Sequence, residues 1–225
     1  DEAQDNTPIS NELLKQVLKQ GCNVTAVGDD FQAIMGFTGA DCDSLNNIIT
    51  AIEPEIMPLT VNFRCGKNII SEAQRFVPDI NAWDNSPDGI VLYSKTDDFM
   101  KKFSNGDCAL SRFNRVIIPI CFRLIREGKK ATIQGRDFGS MLKALVSGFK
   151  ATTIDEFYDA IDKWKNRQLE KSKSLNVSDV IEDKFECLKY FADNSDTVEQ
   201  IATTIDNIFS DKETEGLKLS TAHRS

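Results

Sequence analysis

A single histidine occurs in 225 residues, and the six cysteines, at 22, 42, 65, 108, 121 and 187, contain no CxxC pair. Zinc requires clustered thiolates or imidazoles, so these absences argue against a structural zinc site. Reduced thiols in a cytoplasmic protein are the expectation. No apolar run reaches the ~18 residues of a membrane span, and the first residues lack the basic and apolar regions of a secretory signal. A basic excess is missing too: 27 Lys and Arg face 35 Asp and Glu, a net charge of −8. Phosphate-driven nucleic-acid binding needs the opposite sign. Base stacking is a mode of nucleic-acid binding that an acidic protein tolerates. The phosphate-loop pattern G-x-x-x-x-G-K-[ST] is also absent. What remains, 40% hydrophobic and 28% charged residues, fits a globular chain of one or two domains with a real core.

The densest chemistry lies at 27–40, VGDDFQAIMGFTGA. The short apolar run 24–27 predicts a buried strand. Gly28, Asp29, Asp30 and Gln32 follow at its carboxyl end, where open α/β sheets place their ligands. Gly36 and Gly39 flank Phe37. As bare chemistry this also fits an ordinary strand–turn–helix junction. Asp1 and Glu2 open a second acidic stretch, DEAQD, whose plainer reading is an acidic helix N-terminus.

Thr7-Pro8 predicts a helix start, with Leu13, Leu14, Val17 and Leu18 as its apolar stripe and Gly21 as its stop. Leu45, Ile48, Ile49 and Ile52 predict a second helix ended by Glu53-Pro54. Strands are expected at 56–59, 90–93, 108–110 and 131–134, and helices at 66–77, after Asn114, and after 135–138. Residues 78–89 read as a loop in which Trp83 is a packing anchor. Alternating strands and helices over 56–146 predict a parallel sheet with flanking helices. From about 150 the strand pattern stops. Thr153-x-x-Glu156 and Thr197-x-x-Gln200 are helix-start signatures, and three amphipathic segments predict a separately packed helical unit over 150–215. Leu217 and Leu219 alternate into a last strand.

Four stretches in this order, DEAQD (1–5), VGDDFQAIMGFTGA (27–40), LTVNFR (59–64) and LSTAHRS (219–225), resemble the second to fifth motifs of the UvrD/Rep family of superfamily 1 DNA helicases. The resemblance implies an α/β P-loop NTPase (RecA-like) fold: residues 1–55 as the C-terminal part of a first RecA-like domain, 56–149 as a second, 150–215 as a small helical insertion resembling the family's accessory domain, and 216–225 as a return strand. It identifies the chain as a fragment that starts at one motif and stops inside another. It implies an ATP-dependent 3′-to-5′ helicase on single-stranded DNA, with ATP and Mg²⁺ as cofactors. Asp1 would then hold the metal and Glu2 act as catalytic base, with Gln4 and Asp5 as coupling residues. Gln32 would read the γ-phosphate, Phe63 stack on the adenine, and Arg64 reach the γ-phosphate. Phe37, His223 and Arg112 would contact DNA. Met35, Thr38 and Phe31 depart from the residues usual at their positions. Without the phosphate loop, the isolated polypeptide is expected to hydrolyse no ATP. A noncatalytic helicase-derived interaction module and the helicase part of a helicase–nuclease are the alternatives.

Overall fold

The computed structural model describes residues 1–18, 22–34, 40–41, 43–171, 175–209 and 216–222. They form two compact units, Asp1–Lys95 and Thr96–Ser225.

In the first unit a 3-10 turn, Ala3–Asp5, precedes α1 (Pro8–Leu18), and a second, Asp30–Gln32, precedes α2 (Ser44–Ile52). Thr7 starts α1 as its sequence predicts: its hydroxyl accepts from the Ser10 N–H (3.1 Å). α2 ends at Glu53, which takes a left-handed conformation (φ 44°). α1 differs from expectation in the face it buries. Leu13 and Val17 are exposed, and the buried residue is Asn11. The reason is polar: Asn11 donates to Ser44 Oγ (3.0 Å) and accepts from Asn6 Nδ2 (3.2 Å), so the helix docks on α2 through a hydrogen-bonded seam. Residues 22–29 form no strand, and Thr25, Ala26 and Val27 are exposed. A strand exists only through a ladder partner, and among the described residues this segment has none; its Val27 carbonyl accepts from the Ala3 N–H (2.9 Å) without a ladder on either side.

Further on, the strand falls at β1 (Val61–Asn62), not 56–59, and pairs in parallel with β2 (Asn81–Ala82) inside the expected loop. α3 spans only Lys67–Ala73; Ile70 is buried, whereas Ile69 and Phe76 are exposed. Residues 90–93 form no strand, and Ile90, Leu92 and Tyr93 are exposed.

The second unit contains α4 (Thr96–Lys102), β3 (Cys108–Ser111), α5 (Asn114–Arg126), β4 (Ala131–Ile133), α6 (Arg136–Phe149), α7 (Ile154–Lys171), α8 (Leu175–Asp193), α9 (Val198–Ile208) and β5 (Leu217–Thr221). The sheet is parallel with order β3-β5-β4, so the last strand is central. Its buried residues Leu217 and Leu219 lie against Ile117, Ile118, Cys121 and Leu124 of α5 and Leu142 and Val146 of α6 in one apolar core. The helical pattern after 150 is observed in α7–α9. These helices do not pack apart from the sheet, however. Phe157, Ile161, Leu188, Phe191, Ile201 and Ile205 belong to the same core, and each fully buried large side chain is worth about 1.5–3 kcal/mol. That apolar gain explains why the helices close over the sheet. The chain is α/β, with parallel sheets and flanking helices.

Burial also sorts the thiols. Cys121 is pushed up to about 12 by burial, and Cys187 well above its usual value by the same cause with Asp183 nearby. Cys22 and Cys108 are exposed. A thiol reagent applied to the folded protein is expected to label Cys22 and Cys108 promptly and Cys121 and Cys187 only after unfolding, as read by mass spectrometry of the labelled peptides.

Candidate functional site

The two acidic stretches of the first unit meet through one amide. Gln4 is 2% exposed. Its Nε2 donates to Glu2 Oε2 (2.6 Å), and its Oε1 accepts from the Asp29 N–H (3.1 Å). Asp29 in turn uses both oxygens: Oδ1 accepts from the Phe31 N–H (3.0 Å) and Oδ2 from Gln32 Nε2 (2.8 Å). A continuous path therefore runs Glu2–Gln4–Asp29–Gln32. Asp29 thereby caps the 3-10 turn Asp30–Gln32. Gly28 is what lets the amide through: a Cβ there would stand 2.8 Å from Gln4 Oε1 and 3.1 Å from the Leu45 methyls.

The turn that carries these carboxylates is fixed from both sides. Ala3 donates its N–H to Val27, and its carbonyl accepts from the Ser44 hydroxyl (2.7 Å), which is fully buried. Glu2 sits in the left-handed region (φ 54°), a conformation costing a non-glycine residue on the order of 1–3 kcal/mol and concentrated at functional sites. Asp1 and Glu2 are both exposed, and Asp1 Oδ1 accepts from the Glu2 N–H (3.1 Å). Asp5 Oδ1 is buried without a partner among the described residues.

This donor set fits a hydrated Mg²⁺ carried in on a nucleotide, which asks the protein for one or two exposed carboxylates. Among the described residues no group of three or more His, Cys, Asp or Glu forms a dedicated metal cage. Gln32 is exposed. With one N–H spent on Asp29, it retains an acceptor oxygen and a second N–H for a ligand.

Arg64 and Phe63 follow β1. Asn62 Oδ1 accepts from the N–H groups of Arg64 (3.0 Å) and Cys65 (2.8 Å), which turns the chain after Phe63. The Arg64 guanidinium is exposed and has no hydrogen bond or ion pair among the described residues. Phe63 is 70% exposed and leans on Trp83, ring centroids 5.8 Å apart. Trp83 is itself 42% exposed, so the residue expected as a packing anchor is half in solvent. Among the described residues no hydrogen bond or ion pair joins Phe63 or Arg64 to the Glu2–Gln32 path.

In the second unit Arg112 is exposed at the carboxyl end of β3, beside the end of β5, because Ser111 pairs with Thr221. It shares the Phe113 ring with Arg115, their guanidiniums 5.2 and 4.4 Å from the centroid. Phe37 and His223 lie outside the described residues, as do Met35, Gly36, Thr38 and Gly39.

Residues 1–53, which hold the whole Glu2–Gln32 path, match the sequence profile of the UvrD/REP helicase N-terminal domain. This part of the chain is UvrD/REP-like. A protein of Mycoplasma pneumoniae named "Probable DNA helicase II homolog" is 34% identical over 91 residues, covering 39% of this chain and 13% of the relative. A protein of the same name from Mycoplasma genitalium is 33% identical over 91 residues, covering 37% of this chain and 12% of the relative. The matched stretch is thus a small part of each relative's length. Phe63, Arg64 and Arg112 lie beyond the residues matched by the family profile. Sequence reasoning missed Ser44 and Asn11, whose roles arise from long-range contacts, and it named Trp83 as a packing anchor without its contact to Phe63. For Trp83 the one available signal was an aromatic in an otherwise polar loop. No helix among the described residues is long and apolar enough to cross a membrane.

Proposed function

We propose that the chain is part of an ATP-dependent DNA helicase that moves 3′-to-5′ along single-stranded DNA. The observation that carries this reading is the Glu2–Gln4–Asp29–Gln32 path. It gives an exposed carboxylate a fixed orientation and links it, through a buried amide, to an exposed amide suited to sensing a phosphate. Asp1 would hold Mg²⁺, which supplies charge neutralisation at the terminal phosphates. Glu2 takes the proton of the attacking water, and Gln4 holds the carboxylate that does so. Gln32 donates its free N–H to the γ-phosphate and passes its position through Asp29. Arg64 adds a fixed positive charge at the phosphates, for which its exposed guanidinium, unpaired among the described residues, is suited. Phe63 offers its exposed ring to the adenine. Phe37, His223 and Arg112 are assigned to the single strand, where stacking carries more of the affinity than charge. The assignment of 1–55 to a first RecA-like domain and of 56–149 and 216–225 to a second belongs to the same proposal, with 150–215 as a helical insertion that shares the core of the second unit, as does a cytoplasmic location.

The test is a single substitution. In the longer polypeptide that carries a phosphate loop, Glu2→Gln is expected to lower DNA-stimulated ATP hydrolysis about 10²-fold or more while ATP binding persists. Hydrolysis within a few-fold of the unsubstituted protein would remove Glu2 from the base role and favour the noncatalytic reading. The 225-residue chain alone is expected to hydrolyse no ATP above background. Activity in it that Glu2→Gln abolishes would contradict that expectation.

A further inference from the structure

We propose that Trp83 is a positioning residue for Phe63: the indole braces the phenyl ring on one side, leaving its open side to receive a planar base. The inference rests on the reading of Phe63 as the base-stacking residue and adds the group that orients it.

The backbone places the two rings together. β1 and β2 pair with Val61 opposite Asn81 and Asn62 opposite Ala82, so the next residues, Phe63 and Trp83, emerge side by side. The Trp83 N–H donates to the Asn62 carbonyl (3.0 Å), which locks this register. Beyond Trp83 the loop is held again. Ser86 N–H returns to the Trp83 carbonyl (2.9 Å), and the Pro87 and Asp88 carbonyls accept from Lys67 N–H (2.9 Å) and Asn68 N–H (2.7 Å). Gly66 and Gly89 approach so closely that a Cβ on Gly66 would lie 2.9 Å from Gly89 Cα. The indole is therefore carried by a segment pinned at both ends.

Phe63 has no comparable anchor of its own. The Asx turn at Asn62 fixes its backbone direction, but the ring stands 70% exposed. A bare aromatic in water samples several rotamers and must be ordered when a ligand binds. Contact with Trp83 at 5.8 Å and 48° selects one orientation, and preorganisation of this kind raises affinity without adding a ligand contact. The tilt matters. Two rings meeting at that angle and distance leave no slot for a base between them, so a base must meet Phe63 on the side away from the indole. The first amides of α3 do not compete for a phosphate at this place, because the 87–88 carbonyls already occupy them.

The experiment measures dissociation constants of ATP and of base-free tripolyphosphate for the 225-residue chain by ³¹P NMR titration, which tolerates weak binding. Trp83→Ala is expected to weaken ATP about two- to tenfold, the usual worth of one aromatic contact, and to leave tripolyphosphate unchanged. Trp83→Phe should restore most of the loss. Because Trp83 acts through Phe63, the double substitution with Phe63→Ala should bind ATP no more weakly than Phe63→Ala alone. Equal weakening of both ligands by Trp83→Ala, or no weakening of ATP, overturns the positioning role. Additive losses in the double substitution overturn it as well, by making Trp83 an independent contact. If Phe63→Ala leaves ATP affinity unchanged, the assignment of Phe63 to the base fails first, whatever Trp83 does.

Discussion

Asp183→Ala is expected to destabilise the second unit by about 3–5 kcal/mol, the range for stripping the partner from several buried donors at once. Asp183 lies on α8, is 6% exposed, and serves the start of a different helix. Its Oδ2 accepts from the Asn114 N–H and from Asn114 Nδ2, both at 3.2 Å, and its Oδ1 accepts from the Arg115 N–H at 2.8 Å. These are among the orphan donors that open α5, and a carboxylate there also meets the positive end of the helix dipole. Alanine leaves all three donors unpaired, while the apolar contacts of α5 with Phe191, Tyr190 and the sheet remain. Asp183→Asn should fall between the two. It keeps the shape, loses the charge, and turns one acceptor into an N–H₂ facing a donor. Urea denaturation followed by circular dichroism reads the ranking Asp > Asn > Ala. Amide exchange localises the damage: Asn114 and Arg115 N–H should lose protection first. An Ala variant within about 1 kcal/mol of the unsubstituted chain would mean that these donors find solvent without cost.

This contact also shows where sequence reading stops. Asn114 has the composition of a helix cap, and the sequence places a helix after it. In the structure it is the first helical residue, and the cap comes from 69 positions away. Nothing in the local spacing announces such a partner. α7 and α9, in contrast, are legible because their signals are local. Thr153 Oγ1 accepts from the Glu156 N–H (3.2 Å), and Glu156 reaches back to Thr152 (2.8 Å). Thr197 and Gln200 do the same, with Gln200 accepting from the Asp196 N–H (2.7 Å).

The strands divide on the same principle. β3, β4 and β5 fall where apolar runs predict them, because each finds a neighbour in one sheet. The runs at 24–27, 56–59 and 90–93 have similar composition and no ladder, and β-propensity alone does not supply one. At the candidate site the carboxylates and Gln32 were readable as a motif, through the resemblance of DEAQD and VGDDFQ to family motifs. The bridging geometry of Gln4 was not, because it depends on the passage that Gly28 leaves open beside Leu45.

Gly216→Ala is expected to cost the second unit about 3 kcal/mol or more, the upper part of the range for overpacking a buried position. Gly216 precedes β5, the central strand, so its place is set by neighbours on both sides. The Lys130 carbonyl accepts from the Leu217 N–H (2.8 Å), and the Gly216 carbonyl accepts from the Gly106 N–H (3.4 Å). A Cβ built on Gly216 would stand 2.4 Å from that Lys130 oxygen and 2.9 Å from the Lys130 carbonyl carbon. The obstacle is backbone, so no rotamer change relieves it. Either β5 or the start of β4 must shift, and the hydrogen bond that begins the β4–β5 ladder is lost with the shift. Leu217 and Leu219 then move out of register with a core that tolerates little displacement. Gly148→Ala is the matched control. It sits in α6 with nothing within 4 Å of the added carbon, and removing a helical glycine should stabilise by about 0.5–1 kcal/mol. Opposite signs for two Gly→Ala changes in the same unit, measured in the same urea titration, isolate the steric term. A neutral Gly216→Ala would mean that the approach of residues 130 and 216 is wider in solution than 2.4 Å requires, and the junction of β4 and β5 would have to be redrawn.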